Sequence, residues 1–182
     1  MKKALFLDRD GIINVDHGYV YKIEDFEFTE GIFELVKLFS DAGYLIFIIT
    51  NQSGIGRGYY KEEDFSILTE WMKRKFYENG IPIEEVYYCP HTPDADCHCR
   101  KPKTGMIETA LKKYPIDLSA SWMVGDKQSD IDLAHNAGIG HAVAVSTENI
   151  KNADYHFSTI RSFKHFLEGD AKILNQVQND GI

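Results

Sequence analysis

The apolar tetrapeptide Ala4 to Leu7 runs directly into Asp8, Arg9, Asp10 and Gly11. Side chains alternate along an extended chain, so carboxylates two residues apart can share one side. Gly11 lets the backbone turn immediately beyond them. Two anions this close repel each other. A hard divalent cation with oxygen ligands resolves the conflict, and Mg²⁺ is the common choice. One carboxylate can then attack an electrophile while the other handles a proton. The competing reading is a polar turn after a strand, with Asp10 capping locally.

Other residues can complete such a site. Met123, Val124 and Gly125 lead into Asp126, a natural additional metal ligand. Asp130, about one helical turn further, is either a water-mediated ligand or a support for the first turn of a helix. Ile48 and Ile49 lead into Thr50 and Asn51, whose hydroxyl and amide can hydrogen-bond phosphoryl oxygens; after a strand, such residues are also ordinary turn formers. Lys101, within Arg100-Lys101-Pro102-Lys103, precedes a helical pattern and can neutralise a transferring phosphoryl group. The alternative there is a solvated basic cluster.

A second constellation is separate. The chain has three cysteines. Cys89, Cys97 and Cys99 all lie in one short stretch together with His91. Cys₃His is a standard tetrahedral zinc set, and four protein ligands leave no open position, so the expected role is structural. His98 competes with His91, but its place between two cysteines makes simultaneous coordination awkward. An unmetallated, reduced loop is the plain alternative.

These residues need a scaffold that brings strand ends together. Apolar runs alternate with helical patterns, as expected of βαβ units around a parallel sheet. Strands are expected at 4–7, 44–49, 86–88, 121–124 and 141–145. Helices are expected at 31–42, 62–79, 103–113, 129–137 and 160–167. Glu62, Glu63 and Asp64 at the start of the longest helix, and Lys73, Arg74 and Lys75 nearer its end, complement its dipole. The fold class is therefore α/β with one domain over 1–168 and a polar tail over 169–182. Segments 14–28 and 89–101 read as insertions.

The 182 residues suit one core. The net charge of −8, from 28 acidic and 20 basic residues, weighs against a nucleic-acid partner but not against a small phosphate ligand. The longest apolar run, near Leu45 to Ile49, is too short to span a bilayer. No secretory signal is visible, so a cytoplasmic location is expected; a monomer without membrane partners is expected as well.

The motifs together resemble the haloacid dehalogenase superfamily of phosphatases. Asp8-Arg9-Asp10-Gly11-Ile12 is similar to the first superfamily motif, with Ile12 keeping the β-branch and losing a hydroxyl. Thr50 and Asn51 match the second, Lys101 the third, and Asp126 the last. The resemblance implies a Rossmann-like domain without a large cap. It also implies Asp8 as nucleophile, Asp10 as general acid and base, and Thr50, Asn51 and Lys101 as phosphoryl-binding groups. Magnesium would be held by Asp8, the Asp10 backbone carbonyl and Asp126. The stretches Asn14–Val20, Thr50–Gly58 and Cys99–Met106 resemble the zinc-loop group of heptose-bisphosphate and histidinol-phosphate phosphatases. That likeness spans Lys3 to Val145.

It implies a small phosphorylated sugar as substrate, with the C7 phosphate of a heptose 1,7-bisphosphate removed and histidinol phosphate as the rival. Asp16, His17, Tyr19, Gln52, Ser53, Arg57, Arg100, Lys103 and Lys127 are then candidates for substrate contacts. Arg57, Arg100 and Lys103 are the extra cations for a distal phosphate. More remote alternatives are a polynucleotide 3′-phosphatase and a non-catalytic zinc-stabilised binding module.

Overall fold

The computed structural model describes residues 1–170 and Ile173. The expected tail therefore lies largely outside the described residues. Six strands form one parallel sheet: β1 Ala4–Leu7, β2 Leu45–Asn51, β3 Glu85–Cys89, β4 Trp122–Gly125, β5 His141–Val145 and β6 Tyr155–Phe157. Their spatial order is β3-β2-β1-β4-β5-β6. The described helices are α1 Ile32–Asp41, α2 Ser53–Gly56, α3 Glu62–Glu78, α4 Gly105–Lys113, α5 Gln128–Ala137 and α6 Ile160–Gly169.

The sheet is buried on both faces, which is why its central strands are almost wholly apolar. Leu5 and Leu7 point into a core shared with α1, α3 and α6, whereas Ala4 and Phe6 point into the core of α4 and α5. α1 presents Ile32, Leu35, Val36 and Phe39 inward at helical spacing. It stops at Ala42 and Gly43, the latter at φ +83°.

Most expected elements are present, with shifted ends. β2 continues to Asn51 because β3 pairs with it through the Asn51–Cys89 register. α4 begins at Gly105 rather than at position 103, because the Lys103 backbone N–H is spent on the carbonyl of Arg100 in the preceding turn. α6 runs two residues beyond 167, to Gly169, so the expected domain boundary falls on its last turn. β6 was not expected. It pairs with β5 at the sheet edge, and three residues are too few to establish a period.

β1 is flanked by β2 on one side and β4 on the other, so the winding direction reverses there. Such a reversal opens a crevice beyond the carboxyl ends of the strands. Asp8 follows β1, Asp126 follows β4, and Thr50 and Asn51 end β2. The topology thus assembles segments far apart in sequence.

Candidate active site

Asp8 keeps the sheet ladder going, its N–H donating to the Val124 carbonyl at 3.0 Å. Its side chain turns into the crevice and is nearly buried. Lys101 reaches it from the segment before α4. The ammonium donates to Asp8 Oδ1 at 2.8 Å, to Asp130 Oδ1 at 2.7 Å and to the Ile49 carbonyl at 2.8 Å. All three of its protons are used. Burial alone would push the Lys101 ammonium down, but the charges of Asp130 and Asp8 outweigh it and hold it well above the usual lysine value. The amine is therefore a permanent cation.

Asn51 locks that lysine. The Lys101 N–H donates to Asn51 Oδ1 at 3.0 Å, and Asn51 Nδ2 donates back to the Lys101 carbonyl at 3.4 Å. Both polar atoms of the Asn51 side chain face the Lys101 backbone, so the amide braces the lysine. Thr50 Oγ1 accepts from Gln52 Nε2 at 2.8 Å, so the hydroxyl proton is not consumed by that bond.

Asp126 sits opposite. Ligand oxygens of Asp8, Asp126 and Asp130 all lie within 4.8 Å of one another. Asp126 Oδ1 is buried and has no hydrogen-bond partner. A buried carboxylate oxygen facing two other carboxylates is costly unless a cation takes the place of the missing donors. The donor set, all hard oxygen, fits magnesium. Two glycines make the close approach possible. A Cβ on Gly11, which has φ +88°, would sit 2.1 Å from Asp126 Oδ2, and one on Gly125 would sit 2.2 Å from Asp130 Cβ.

Asp130 does two jobs. Oδ1 holds Lys101, and Oδ2 accepts the Lys127 N–H at 3.1 Å to cap α5. It is 1% exposed. The Asp10 carboxylate does not join the Asp8–Asp126–Asp130 group. Its Oδ1 accepts from Arg9 and Asn14, and its Oδ2 from Gln52.

Burial, then the charges of Asp8 and Asp130, pushes the Asp126 carboxyl up to about 8. Burial and Asp8 push Asp130 up to about 6, against the opposing Lys101. Both folded values exceed those of an unfolded chain, so between about pH 4 and pH 8 the native state binds more protons than the unfolded one. Metal-free protein should therefore lose stability as pH rises through this window. Bound magnesium favours the ionised carboxylates and should restore that stability. We expect the gain in melting temperature on adding MgCl₂ to be larger at pH 8 than at pH 6. A magnesium effect independent of pH, in melts across that range, would contradict this carboxylate cluster as the cation site.

A cavity of about 300 Å³ opens beside this cluster; Asp126 is not in its wall and borders a neighbouring pocket with Gly11 instead. Asp8, Asp10, Asn51 and Lys101 lie in its wall, with Asp16, Tyr19, Gln52, Ser53, Arg100 and Lys127 around them. Three candidates for substrate contact lie outside this lining. His17 instead pairs with Glu27 at 2.9 Å on the surface of its loop. Lys103 donates to the Cys97 carbonyl at 2.6 Å, because the turn before α4 aims it at the cysteine loop. Arg57 is exposed after the short α2. Tyr60 and Ser129 line the cavity without having been singled out from the sequence. Tyr60 donates to Gln52 Oε1, which turns Gln52 Nε2 towards Asp10 and Thr50. A tyrosine before a helix carries no spacing signal for such a role.

The cysteine loop closes on itself. Cys89 Sγ lies 3.4 Å from His91 Nδ1 and 3.7 Å from Cys97 Sγ, and His91 Nδ1 lies 3.2 Å from Cys99 Sγ. Two sulfurs bound tetrahedrally to one zinc sit about 3.8 Å apart, so these edges fit a single Zn²⁺. His98 turns away to Glu108 at 2.8 Å, which leaves His91 as the imidazole of the set. The loop is tied to the cavity rim, since Arg100 Nη1 approaches the His91 carbonyl at 3.4 Å.

A buried aspartate–lysine–aspartate clamp beside three clustered carboxylates, at the switch point of a parallel sheet, is suited to hold a divalent cation and a phosphoryl group together. Residues 98–166 match the family described as HAD-hyrolase-like. The chain is 49% identical to D-glycero-alpha-D-manno-heptose-1,7-bisphosphate 7-phosphatase of Campylobacter jejuni, covering 91% of this chain and 92% of that protein. It is 47% identical to D-glycero-beta-D-manno-heptose-1,7-bisphosphate 7-phosphatase of Haemophilus ducreyi, covering 84% and 91%. A solved D,D-heptose 1.7-bisphosphate phosphatase from B. bronchiseptica, complexed with magnesium and phosphate, shares the fold, with TM-score 0.80 and 24% identity over 92% of this chain and 99% of that one. The chain belongs to the HAD-like family of D-glycero-D-manno-heptose-1,7-bisphosphate 7-phosphatases.

Proposed function

We propose that the protein hydrolyses the C7 phosphate of D-glycero-D-manno-heptose 1,7-bisphosphate through a phospho-aspartate on Asp8, giving the 1-phosphate for heptose-nucleotide and lipopolysaccharide synthesis. The observation that carries the chemistry is the Lys101 ammonium clamped between Asp8 and Asp130, beside the unpartnered oxygen of Asp126. The observation that carries the substrate is the likeness to two sets of curated relatives named for this sugar.

Asp8 Oδ1 accepts from Lys101 and, at 2.9 Å, from the Arg9 N–H. Its Oδ2 is then the oxygen left to attack phosphorus. Asp8, Asp126 and the Asp10 backbone carbonyl would hold magnesium, which when bound screens the carboxylates and offsets charge on the phosphoryl oxygens. The Thr50 hydroxyl and the Asn51 N–H serve the other phosphoryl oxygens, and the Lys101 ammonium, held between Asp8 and Asp130, offsets their charge. Asp10 gives a proton to the departing sugar oxygen and takes one from the water that cleaves the phospho-aspartate. Arg100 and Lys127 at the rim grip the distal phosphate, and Asp16 and Tyr19 meet sugar hydroxyls. Lys127 already reaches towards Asp16, with Nζ 3.8 Å from Oδ2. We place the reaction in one domain over 1–168, working as a cytoplasmic monomer with no nucleic-acid partner. Among the described residues, no helix is long and apolar enough to cross a membrane.

A substrate panel tests the assignment. Phosphate release should be measured for both anomers of the heptose bisphosphate, for histidinol phosphate and for the heptose 1-phosphate. A site that grips two phosphates should prefer the better bisphosphate anomer to histidinol phosphate by about 100-fold or more in kcat/KM. Equal values would move the assignment to histidinol phosphate. The relatives carry both anomer names at similar identity, so the panel also decides the anomer.

A further inference from the structure

Arg9 is 1% exposed, although it lies within a stretch whose carboxylates face the cavity. Its Nη2 donates to Asp10 Oδ1 at 2.8 Å and to the Val20 carbonyl at 2.6 Å. The rings of Phe26 and Phe65 each lie 5.9 Å from the guanidinium carbon. Nε and Nη1 are buried without partners. Burying a guanidinium with two nitrogens unpaired is expensive, and an apolar side chain of similar volume would usually stabilise such a site better. A charge buried in this way is a poor choice for stability alone, which points to work elsewhere.

We propose that Arg9 is a positioning residue that fixes the Asp10 carboxylate for proton transfer and couples it to the segment 16–20 over the cavity. Asn14, fully buried, donates to the same Asp10 Oδ1 at 3.0 Å. Arg9 and Asn14 together occupy Oδ1, while Oδ2 accepts a single bond, from Gln52 at 3.1 Å. Oδ2 is therefore the oxygen that carries the proton. The second Arg9 bond holds Val20, at the end of the segment that brings Asp16, Gly18 and Tyr19 into the cavity wall. One guanidinium thus joins the proton carrier to the part of the chain that meets the sugar.

The inference rests on the reading of Asp10 as proton carrier. In the first step an Asp8 oxygen bonds to phosphorus while the bond from phosphorus to the sugar oxygen breaks. The proton on Asp10 Oδ2 passes to that oxygen, leaving Asp10 ionised. In the second step water bonds to phosphorus, its proton returns to Asp10, and the Asp8–phosphorus link breaks.

Leaving groups supply the test. A primary alkoxide needs a proton to depart, whereas p-nitrophenolate leaves unaided. The measured quantity is kcat/KM, which reports the first step, for a primary alkyl phosphate and for p-nitrophenyl phosphate. Arg9→Met should lower the alkyl value by about 100-fold or more and the aryl value by less than about tenfold. Asp10→Asn should show the same selectivity. Arg9→Lys, whose single ammonium cannot span both partners as a planar fork does, should show it with smaller amplitude. Equal losses on both esters in a folded Arg9→Met protein would overturn the proposal. So would wild-type rates in Arg9→Lys should Arg9→Met fail to fold. If Asp10→Asn itself lacks the selectivity, the reading of Asp10 fails and this proposal falls with it. Selectivity in Asp10→Asn without it in Arg9→Met would sink the role of Arg9 alone.

Discussion

Asp8→Asn is expected to abolish turnover, with a loss of roughly 10⁴-fold or more, because the proposed route runs through a phosphoryl group on the Asp8 carboxylate. The substitution keeps the shape of the side chain and the acceptor for Lys101 and the Arg9 N–H, both of which meet Oδ1. It removes the anionic oxygen that attacks. It also removes one of the three carboxylates that crowd the cluster. Metal-free Asp8→Asn should therefore be at least as stable as wild type at pH 8, since a negative charge has left a site short of cations. Loss of activity with retained or improved stability separates a catalytic defect from a folding defect. Steady-state phosphate release and a thermal melt of the same sample check both halves. Appreciable residual turnover would exclude the covalent route.

Lys101→Met should combine a severe kinetic loss with a stability loss. Lys101 is 4% exposed and bridges Asp8 and Asp130. Removing one member of a buried ionic cluster typically costs about 3–5 kcal/mol, since the remaining charges lose their compensation. Here two buried aspartates are left together. Protonation relieves that repulsion, so the stability deficit should be larger at pH 8 than at pH 5. Turnover should fall by roughly a thousandfold, the scale of a lost electrostatic stabiliser, even where the protein is folded. Denaturation midpoints at the two pH values and a kcat at saturating magnesium measure these effects. A deficit that grows towards acid would show that the lysine's charge is not what offsets the buried carboxylates.

The two effects explain why some of the site was legible before any geometry. Asp8 and Asp10 were recognisable because an apolar run ended in paired acids followed by glycine, and Asp126 repeated that pattern after a second run. Cys89, His91, Cys97 and Cys99 were recognisable because metal chemistry restricts both residue type and local spacing. Asp130 stayed ambiguous, since an acid in a first helical turn has a sufficient local explanation. The structure shows it performing the local task with one oxygen and holding Lys101 with the other. His17 and Lys103 show what local pattern leaves open. Their types suited a phosphorylated sugar, but their partners, Glu27 and the Cys97 carbonyl, are set by loop paths that no period encodes.

The sequence by itself determined the parallel α/β class, the strand-end carboxylates and the zinc donor set, because these depend on local pattern: apolar period, turn chemistry and ligand spacing. Only the tertiary structure decided which oxygen of each aspartate is engaged, that Asn51 braces Lys101, and that Arg9 is buried between Phe26 and Phe65 with Val20 in its grip. Those contacts join segments whose separation along the chain is arbitrary. They are fixed by packing both faces of one sheet and by the reversal of strand order at β1, where neighbours in space are not neighbours in sequence.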